Sequence, residues 1–370
     1  MGLIPQLCEA LTNKGYVNPT PIQEQSIPHI LAHRDIFGCA QTGTGKTASF
    51  ALPILQLLDA AKLHNTKGIK ALVLAPTREL ALQIHDSFTE YGQHLGLKHA
   101  VIFGGVSQVN QVNILKRGVD ILIATPGRLL DLMNQGFIDL RGIQYFVLDE
   151  ADRMLDMGFI HDIKRIIPKL PEKRQTIFFS ATVSPEIRKL SETLLKNPAR
   201  VNVTPVSSAA EMVSQSVYYV KKEDKRALLK HVIEAEKIEH VLVFTRTKHG
   251  ADRVVKDLLK SGIKSAAIHG DKSQGAREKA LAGFKDRSIR VLVATDIASR
   301  GIDVNQLSHV INFELPEVAE TYVHRIGRTG RAGASGVALS FCTPDEMTYL
   351  NGITKLINKK INVVKSHPFS

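Results

Sequence analysis

The octapeptide AQTGTGKT, Ala40 to Thr47, constrains the fold of this chain more than any other stretch. It follows a short apolar run, Ile36 to Cys39, and precedes a helical pattern from Ala48 to Leu58. A strand, a glycine-rich loop and a helix in this order are typical of phosphate-binding loops in α/β domains. The sequence therefore predicts a parallel sheet flanked by helices, with a triphosphate as the natural occupant of the loop.

The residue types in this loop suit a bound phosphate chain. Gly43 and Gly45 allow backbone N–H groups to approach phosphate oxygens, and the following helix N-terminus adds partial positive charge. Lys46 supplies a full positive charge, and the hydroxyl of Thr47 is a ligand for Mg²⁺. The predicted nucleotide contacts of the loop are Gln41, Thr42, Gly43, Thr44, Gly45, Lys46 and Thr47, with Lys46 also catalytic and Thr47 also a metal ligand.

Two other interpretations of the loop carry less weight. Ala40 stands where the loop pattern usually begins with glycine, so a glycine-rich turn with a solvated lysine fits the same letters. The spacing of Gly43, Gly45 and Ala48 also fits a dinucleotide-binding turn, which needs an acidic residue about twenty positions further on. No acidic residue lies between His64 and Lys67, so the dinucleotide interpretation is disfavoured.

Length and composition limit the possible architectures. With 370 residues and 44% hydrophobic content, the chain is too long for one ordinary core, and we expect two domains. The formal net charge of +12 suits a polyanionic partner, although scattered lysines more often only keep a surface soluble. The cysteines at positions 8, 39 and 342 lack the spacing of a zinc site or a disulfide, and no apolar run is long enough to span a membrane. These features favour a reducing compartment and a cytoplasmic location.

Short apolar runs alternate with helical patterns along the chain, which is typical of parallel sheets covered by helices on both faces. After Ile36 to Cys39, the predicted strands lie at residues 71–75, 100–103, 121–124, 145–148 and 176–179, and then at 216–220, 241–244, 265–268, 291–294, 310–313 and 337–341. Between Asn202 and Met212, Pro205 and two serines interrupt any helical or strand-like repeat of apolar residues. We therefore predict two α/β domains, 1–203 and 213–370, joined by a linker at 204–212.

Each predicted strand of the first half is followed by polar residues, and the carboxyl ends of parallel strands meet at one edge of a sheet. Asp149 and Glu150 follow the strand at 145–148. A carboxylate at Asp149 can hold Mg²⁺ opposite the phosphate loop, and Glu150 is placed to orient or deprotonate a water. A solvated strand end is the plainer alternative, which Lys46 and Thr47 in the same domain disfavour. The pattern predicts attack of water on a γ-phosphate.

The segment GYVNPTPIQ, Gly15 to Gln23, precedes the phosphate loop and is stiffened by Pro19 and Pro21. A glutamine amide carries a donor and an acceptor side by side, which is the pair that N6 and N7 of adenine require. A glutamine in such a segment is more often an ordinary loop residue. Its place just upstream of the phosphate loop makes Gln23 a candidate adenine ligand.

The second half has no G-K-[ST] loop of its own, so we expect it to bind no nucleotide independently. It contains HRIGRTGR, His324 to Arg331, on a helical pattern that the glycines should end. On such a helix Arg325, Arg328 and Arg331 would lie along one side. This row is either a solvated stripe or a source of the guanidinium groups that stabilise a phosphoryl-transfer transition state.

Taken together, these segments make the chain resemble the DEAD-box RNA helicases over essentially all of its length. The matching segments, in the family's order, are GYVNPTPIQ (Q motif), AQTGTGKT (I), PTREL at 76–80 (Ia), the glycine pair at 104–105, TPGR at 125–128 (Ib), DEAD at 149–152 (II), SAT at 180–182 (III), VFTRT at 243–247 (IV), Gln274-x-x-Arg277, TDIASRGID at 295–303 (V) and HRIGRTGR (VI). In this family an alanine at Ala40 is ordinary. In its overall sequence character and its minimal core, the chain is most similar to the bacterial RhlE-type members.

The resemblance implies two tandem RecA-like domains, each a mostly parallel sheet flanked by helices, that close together on ATP and single-stranded RNA. It assigns Gln23 to adenine, Asp303 to the ribose, Lys46 and Thr47 to phosphate and Mg²⁺, Asp149 to the Mg²⁺ shell, Glu150 to the water, and Arg328 and Arg331 to the catalytic role of arginine fingers. The implied RNA contacts are Pro76, Thr77, Arg78, Gly105, Thr125, Gly127, Arg128, Thr245, Arg246, Gln274, Arg277 and Thr295. Ser180, Thr182 and His324 are implied to couple hydrolysis to closure.

One feature departs from the family pattern. Members usually carry an aromatic residue upstream of the Q motif that stacks on adenine, and this sequence starts too late to include it. Tyr16 is not that residue, although it stands among the expected nucleotide contacts. Adenine is therefore expected to be held more weakly unless the sequence is truncated.

The implied activity is RNA-stimulated ATP hydrolysis by a monomer, coupled to local unwinding of short RNA duplexes with little sequence specificity. An ATP-gated RNA clamp, or a scaffold that remodels RNA–protein complexes, is an alternative with the same motifs. A DNA translocase fits less well, because this motif set goes with RNA. A GTPase is disfavoured because the sequence has no N-K-x-D motif.

Overall fold

The computed structural model describes residues 1–40, 44–61, 68–203, 213–296, 307–330 and 336–369. Contacts divide the chain into two compact units, Met1–Val203 and Thr204–Ser370. Each unit contains a seven-stranded sheet whose strand pairs are parallel, with helices on its faces. The α/β fold class predicted from the sequence is confirmed.

The first unit alternates strands and helices along the chain. Its strands are β1 Ile36–Cys39, β2 Ala71–Leu74, β3 His99–Ile102, β4 Ile121–Ala124, β5 Tyr145–Leu148, β6 Gln175–Ser180 and β7 Ala199–Asn202. Its helices are α1 Pro5–Asn13, α2 Pro21–Leu31, α3 Lys46–Ala60, α4 Arg78–Tyr91, α5 Gln108–Lys116, α6 Pro126–Asn134, α7 Ala151–Asp156, α8 Ile160–Ile166 and α9 Pro185–Leu194, with a 3₁₀ turn at Ile167–Lys169.

The second unit repeats this alternation. Its strands are β8 Val213–Tyr219, β9 Val241–Thr245, β10 Ser265–Ile268, β11 Val291–Thr295, β12 His309–Asn312, β13 Gly336–Cys342 and β14 Asn362–Val364. Its helices are α10 Lys225–Ala235, α11 Lys248–Lys260, α12 Gln274–Lys285, α13 Ala319–Ile326 and α14 Met347–Ile357, with a 3₁₀ turn at Pro344–Glu346.

The central strands are buried on both faces because successive side chains point to opposite sides of a sheet. In β2, Ala71 and Val73 join the core that packs on α3 and α4, whereas Leu72 and Leu74 join the core that packs on α6 and α8. Strand β9 divides its side chains between two cores in the same way. This is why apolar residues at consecutive positions predicted parallel sheets.

The two sheets have the same topology. The strand order is β3-β4-β2-β5-β6-β1-β7 in the first and β10-β11-β9-β12-β13-β8-β14 in the second, which is the same order once β8 is counted as the first strand. Edge strands β7 and β14 were not predicted from the sequence. Strand β7 alternates buried and exposed residues, and β14 is only three residues long, so neither forms an apolar run.

No helix in the described part of the chain has the length and apolar content needed to cross a membrane.

Candidate functional site

The described part of the phosphate loop holds its lysine in place. Lys46 is the first residue of α3, is only 5% exposed, and donates a hydrogen bond from Nζ to the carbonyl oxygen of Ala40 at 2.9 Å. Gly45 precedes it with a φ of 91°, which L residues with a side chain rarely adopt. The expected contacts Gln41, Thr42 and Gly43 lie outside the described residues.

Gln23 lies on helix α2 rather than in a loop, and its amide joins that helix to the phosphate loop. The backbone N–H of Thr20 donates to Oε1 of Gln23 at 2.9 Å, as part of a capping box, and Nε2 donates to the carbonyl oxygen of Gly45 at 3.2 Å. A Cβ atom on Gly45 would collide with that amide nitrogen. One amide proton and one lone pair of Gln23 remain for a ligand.

A cavity of about 370 Å³ lies beside this amide. Its lining includes Leu3, Leu11 and Tyr16 together with the amide side chains of Asn18 and Gln23, which combine apolar walls with a few polar groups. A cleft of this size and character suits a flat heterocyclic base. The structure thus places Tyr16 at the same cavity as Gln23.

Two acidic residues follow β5 at the edge of the sheet where the phosphate loop lies. Asp149 is 2% exposed, and its Oδ1 has no hydrogen-bond partner within the described part of the chain. Burial raises the pKa of Asp149, while the positive charges of Lys46 and Arg153 act to lower it. A buried carboxylate oxygen without a partner, electrostatically coupled to the loop lysine, fits a Mg²⁺ ion bound together with phosphate.

Glu150 is held in an unusual backbone conformation. It has a φ of 54° and a ψ of 52°, in the left-handed region that costs a non-glycine residue on the order of 1 kcal/mol or more. The residue as a whole is 3% exposed. Its carboxylate forms an ion pair with Arg153, one helical turn further along the chain. Backbone strain of this kind is retained where the surrounding structure fixes the direction of a side chain. Here it fixes the direction of the Glu150 side chain at the turn between β5 and α7.

Asp152 joins this acidic turn to the end of β6. Its Oδ2 accepts hydrogen bonds from the N–H of Ala181 at 3.1 Å, and from the N–H and Oγ1 of Thr182 at 2.9 and 3.0 Å. The hydroxyl of Ser180 donates to the carbonyl oxygen of Thr182 at 2.8 Å. The N–H of Ala40 donates to the carbonyl oxygen of Ser180 at 3.0 Å, which connects the same segment to the phosphate loop.

The other strand ends of the first unit form a second group, after β2, β3 and β4. The guanidinium of Arg78 lies over the ring of Phe103 at 5.7 Å, and a Cβ atom on Gly105 would collide with it. Arg128 donates from Nη2 to the carbonyl oxygen of Val106 at 3.1 Å. The remaining members lie on the same strand ends, Pro76 and Thr77 after β2, and Thr125 and Gly127 after β4.

Because β3, β4 and β2 are neighbours, and β5, β6 and β1 are neighbours, the site of the first unit has two halves. Of the residues expected to hold nucleotide, Lys46 and Thr47 follow β1 and Asp149 follows β5, both strands of the second trio, whereas Gln23 lies on α2. The residues expected to contact RNA lie on the first trio. Strand order, which the sequence does not show, makes this division.

The second unit has a matching group after its neighbouring strands β9, β10 and β11. Thr245 and Thr295 end β9 and β11 and are buried, while Gln274 and Arg277 lie in the first turn of α12. Arg246 follows Thr245, and its side chain lies among carboxylates of the same unit. Asp303 lies outside the described residues.

Arg325 and Arg328, which were expected to share one side of a helix, do not lie on the same helix. Helix α13 ends at Ile326, so only Arg325 belongs to it. Arg325 is 1% exposed and binds both carboxylate oxygens of Asp296, at 2.6 and 2.8 Å, so it is a structural residue of this unit. Arg328 follows the helix, and Arg331 lies outside the described residues. His324 lies on the last turn of the helix, half-buried.

Two family models match the chain, DEAD/DEAH box helicase over residues 20–190 and helicase conserved C-terminal domain over residues 224–333. The ATP-dependent RNA helicase CshA of Limosilactobacillus reuteri is 41% identical over 367 residues, covering 99% of this chain and 73% of that protein. The chain belongs to the DEAD-box RNA helicase family. The ATP-dependent RNA helicase DeaD of Mycobacterium tuberculosis is 44% identical over 352 residues, which are 95% of this DEAD-box chain and 62% of that relative.

Among solved structures, Saccharomyces cerevisiae Dbp5 bound to RNA and ADP BeF3 matches with a TM-score of 0.89 and 30% identity, covering 98% of this chain and 94% of that one. The two sheets of this DEAD-box protein are thus tandem RecA-like domains. Sequence reasoning did not assign a role to Asp152, the last letter of the DEAD motif. The polar SAT segment after the next strand was the available signal, since adjacent strand ends are where hydrogen-bond partners meet.

Proposed function

We propose that this DEAD-box protein is an RNA-stimulated ATPase that separates short RNA duplexes. The observation that carries the proposal is the cluster at the ends of β1, β5 and β6, where a buried lysine, a buried carboxylate and the Asp152–Thr182 contact lie together. The names of the relatives, ATP-dependent RNA helicases, and the yeast Dbp5 structure with RNA and ADP BeF3 support it.

The nucleotide roles follow from the chemistry of each side chain. Lys46 and Thr47 are proposed to hold phosphate oxygens and Mg²⁺, with Oδ1 of Asp149 completing the metal ligands from the chain. A bound Mg²⁺ supplies neutralising charge along the phosphates. Gln23 pairs with the base, and Glu150 orients the attacking water and accepts its proton.

The second unit is proposed to contribute positive charge. Arg328 stabilises the charge that develops on the transferred phosphoryl group, as a fork-shaped donor does. The hydroxyl of Thr329 donates its one proton between the carbonyl oxygens of Leu307 and Ser308, the latter at 3.2 Å, which fixes the segment that carries Arg328. The roles of Arg331 and Asp303 rest on the family resemblance alone.

Asp152 is proposed to connect hydrolysis to conformational change. It adjoins the proposed water-positioning turn and accepts two hydrogen bonds from Thr182 and one from the N–H of Ala181. A shift of Glu150 or its water is thereby transmitted to the segment after β6. His324 and Ser180 are proposed to take part in the same coupling.

RNA recognition is proposed to depend on phosphates and ribose hydroxyls, because the residues after β2, β3 and β4 offer small side chains, hydroxyls and arginines rather than stacking rings. We expect the logarithm of the affinity for a single-stranded oligoribonucleotide to fall with log salt, at about −0.7 per phosphate neutralised. Titration of a labelled uridine oligomer at several salt concentrations measures this slope. An affinity independent of salt would contradict the proposed surface.

RNA-stimulated ATP hydrolysis is the direct test of the function. Addition of a single-stranded oligoribonucleotide is expected to raise phosphate release well above the RNA-free rate. Lys46→Ala is expected to abolish that stimulation, because it removes the lysine that supplies the positive charge of the phosphate loop. The deoxy oligomer of the same sequence is the control for a DNA translocase. Equal stimulation by both polymers, or none by either, would refute the proposal.

Three narrower assignments are also proposed. The RhlE-type subgroup rests on the overall texture of the sequence, whereas the relatives described above are a CshA and a DeaD protein. A cytoplasmic location rests on the cysteine spacing, and a monomeric state rests on the family resemblance alone. An ATP-gated clamp predicts that RNA stays bound through many hydrolysis cycles, so the rate of RNA release per ATP separates it from a helicase.

A further inference from the structure

A buried carboxylate, Glu346, connects separate segments of the second unit. The residue is only 1% exposed. Its Oε2 accepts hydrogen bonds from Nζ of Lys225 at 2.6 Å and from the N–H and Oγ1 of Thr343 at 3.1 and 3.0 Å. Its Oε1 accepts from the N–H of Leu315 at 3.2 Å and lies 3.3 Å from Nη2 of Arg246. One side chain thus joins α10, the end of β12, the 3₁₀ turn before α14 and the loop after β9.

The contact with Lys225 fixes the position of the Glu346 carboxylate. Lys225 is 3% exposed and also donates to the carbonyl oxygens of Phe313 at 2.9 Å and Phe341 at 3.1 Å. A buried ammonium with three acceptors and a buried carboxylate with several donors satisfy each other's hydrogen-bonding capacity. Glu346 therefore holds a set position from which to contact Arg246.

Arg246 is held from several sides. Its backbone N–H donates to Oε2 of Glu314 at 2.7 Å, and its guanidinium lies 3.3 Å from Glu346, 3.6 Å from Glu317 and 5.8 Å from the ring centre of Tyr349. Three carboxylates around one guanidinium compete with a phosphate for the same donors and repel it. This environment suits a guanidinium that fastens its own loop.

We propose that Glu346 is a positioning residue for RNA binding. Through its contact with Glu346, Arg246 fixes the conformation of the loop after β9 and does not itself bind a phosphate. The loop exposes Thr247 next to Thr245, the buried last residue of β9, and the positions of both depend on this contact. The hydroxyl of Thr245 donates to the carbonyl oxygen of Thr247 at 3.2 Å, and Oγ1 of Thr247 accepts from the N–H of Gly250 at 3.0 Å to start α11. The inference rests on the proposed RNA-stimulated ATPase.

The test compares Glu346→Gln and Arg246→Met with the parent, using ATP hydrolysis stimulated by a uridine decamer. Glu346→Gln is expected to raise the oligomer concentration for half-maximal stimulation about tenfold, with the rate at saturating oligomer within about twofold. Arg246→Met is expected to raise the same concentration comparably while leaving the salt slope of oligomer binding unchanged. The double variant is expected to be no worse than the more affected single one, because both changes break one connection.

Asp257→Asn is the matched control, since it breaks the Arg226–Asp257 ion pair of 2.6 Å in the same unit without contacting the loop. It is expected to behave as the parent. Thermal melting checks that each variant is folded. If Glu346→Gln does not fold, Arg246→Met decides alone, because its side chain is 27% exposed and its removal creates no cavity in the core.

Two results would overturn the inference. A salt slope for Arg246→Met that is shallower by about 0.7 would show a lost phosphate contact instead. Parent-like oligomer dependence in a folded Glu346→Gln or Arg246→Met variant would show that the loop does not need this connection. A parent protein that RNA does not stimulate would refute the proposed function itself, which is a separate outcome.

Discussion

Replacing Arg328 with alanine is expected to lower the rate of RNA-stimulated ATP hydrolysis at saturating substrates by about 10³-fold. In the proposed role the guanidinium would offer two parallel N–H donors to the phosphoryl oxygens that gain charge in the transition state, and alanine offers none. ATP binding should change little, because the phosphate loop of the first unit retains Lys46. Steady-state kinetics with titrated RNA and ATP, together with binding of a fluorescent nucleotide, measure both quantities.

Two variants sharpen the Arg328 experiment. Arg328→Lys keeps the charge but not the fork-shaped donors, so it is expected to recover little of the rate. Arg226→Ala removes an arginine of the same unit that pairs with Asp257 and has no proposed catalytic role, and it should match the parent. Turnover by Arg328→Ala at the parental rate would exclude this residue from catalysis.

Replacing Glu150 with glutamine is expected to lower the hydrolysis rate by about 10²- to 10⁴-fold while nucleotide binding survives. Glutamine keeps the shape and hydrogen-bonding reach of the side chain but does not accept a proton from water. The left-handed backbone at this position and the ion pair with Arg153 hold the carboxylate in one direction. Single-turnover hydrolysis separates this chemical step from binding and product release.

The contrast with Asp149→Asn makes the Glu150 result specific. Losing the carboxylate whose Oδ1 is proposed to hold Mg²⁺ is expected to weaken Mg²⁺-dependent nucleotide binding, which Glu150→Gln should leave intact. Glu186→Gln, at the exposed start of α9, is a neutral control for removal of one negative charge from the same unit. Unchanged single-turnover hydrolysis in Glu150→Gln would assign the water to another group.

The sequence predicted the fold class because its short apolar runs occupy consecutive positions and alternate with helical patterns, which is typical of strands buried on both faces of a parallel sheet. It also predicted the boundaries of most central strands. It did not predict edge strands such as β7, whose partly exposed residues form no apolar run. Nor did it show that α13 ends at Ile326, which separates a structural Arg325 from Arg328 although their spacing in sequence suits one helical face.

Short sequence motifs also identified the candidate side chains of the site. A lysine after glycines, or acids after an apolar strand, indicates phosphate chemistry whatever the rest of the chain does. The pairing of Gln23 with the carbonyl of Gly45, and of Asp152 with Thr182, joins residues that are far apart in sequence. Such contacts depend on which strands are neighbours, and no local pattern records this.

The residue types, their order and their positions at strand ends were determined by the sequence itself, because propensity and periodicity act over short distances. Tertiary structure alone decided the strand order, which puts β3, β4 and β2 in one half of the sheet and β5, β6 and β1 in the other. It alone decided that Glu346 meets Arg246 across 100 positions of chain. Packing of buried strands and pairing of buried charges are long-range interactions, and their partners are chosen only when the whole sheet forms.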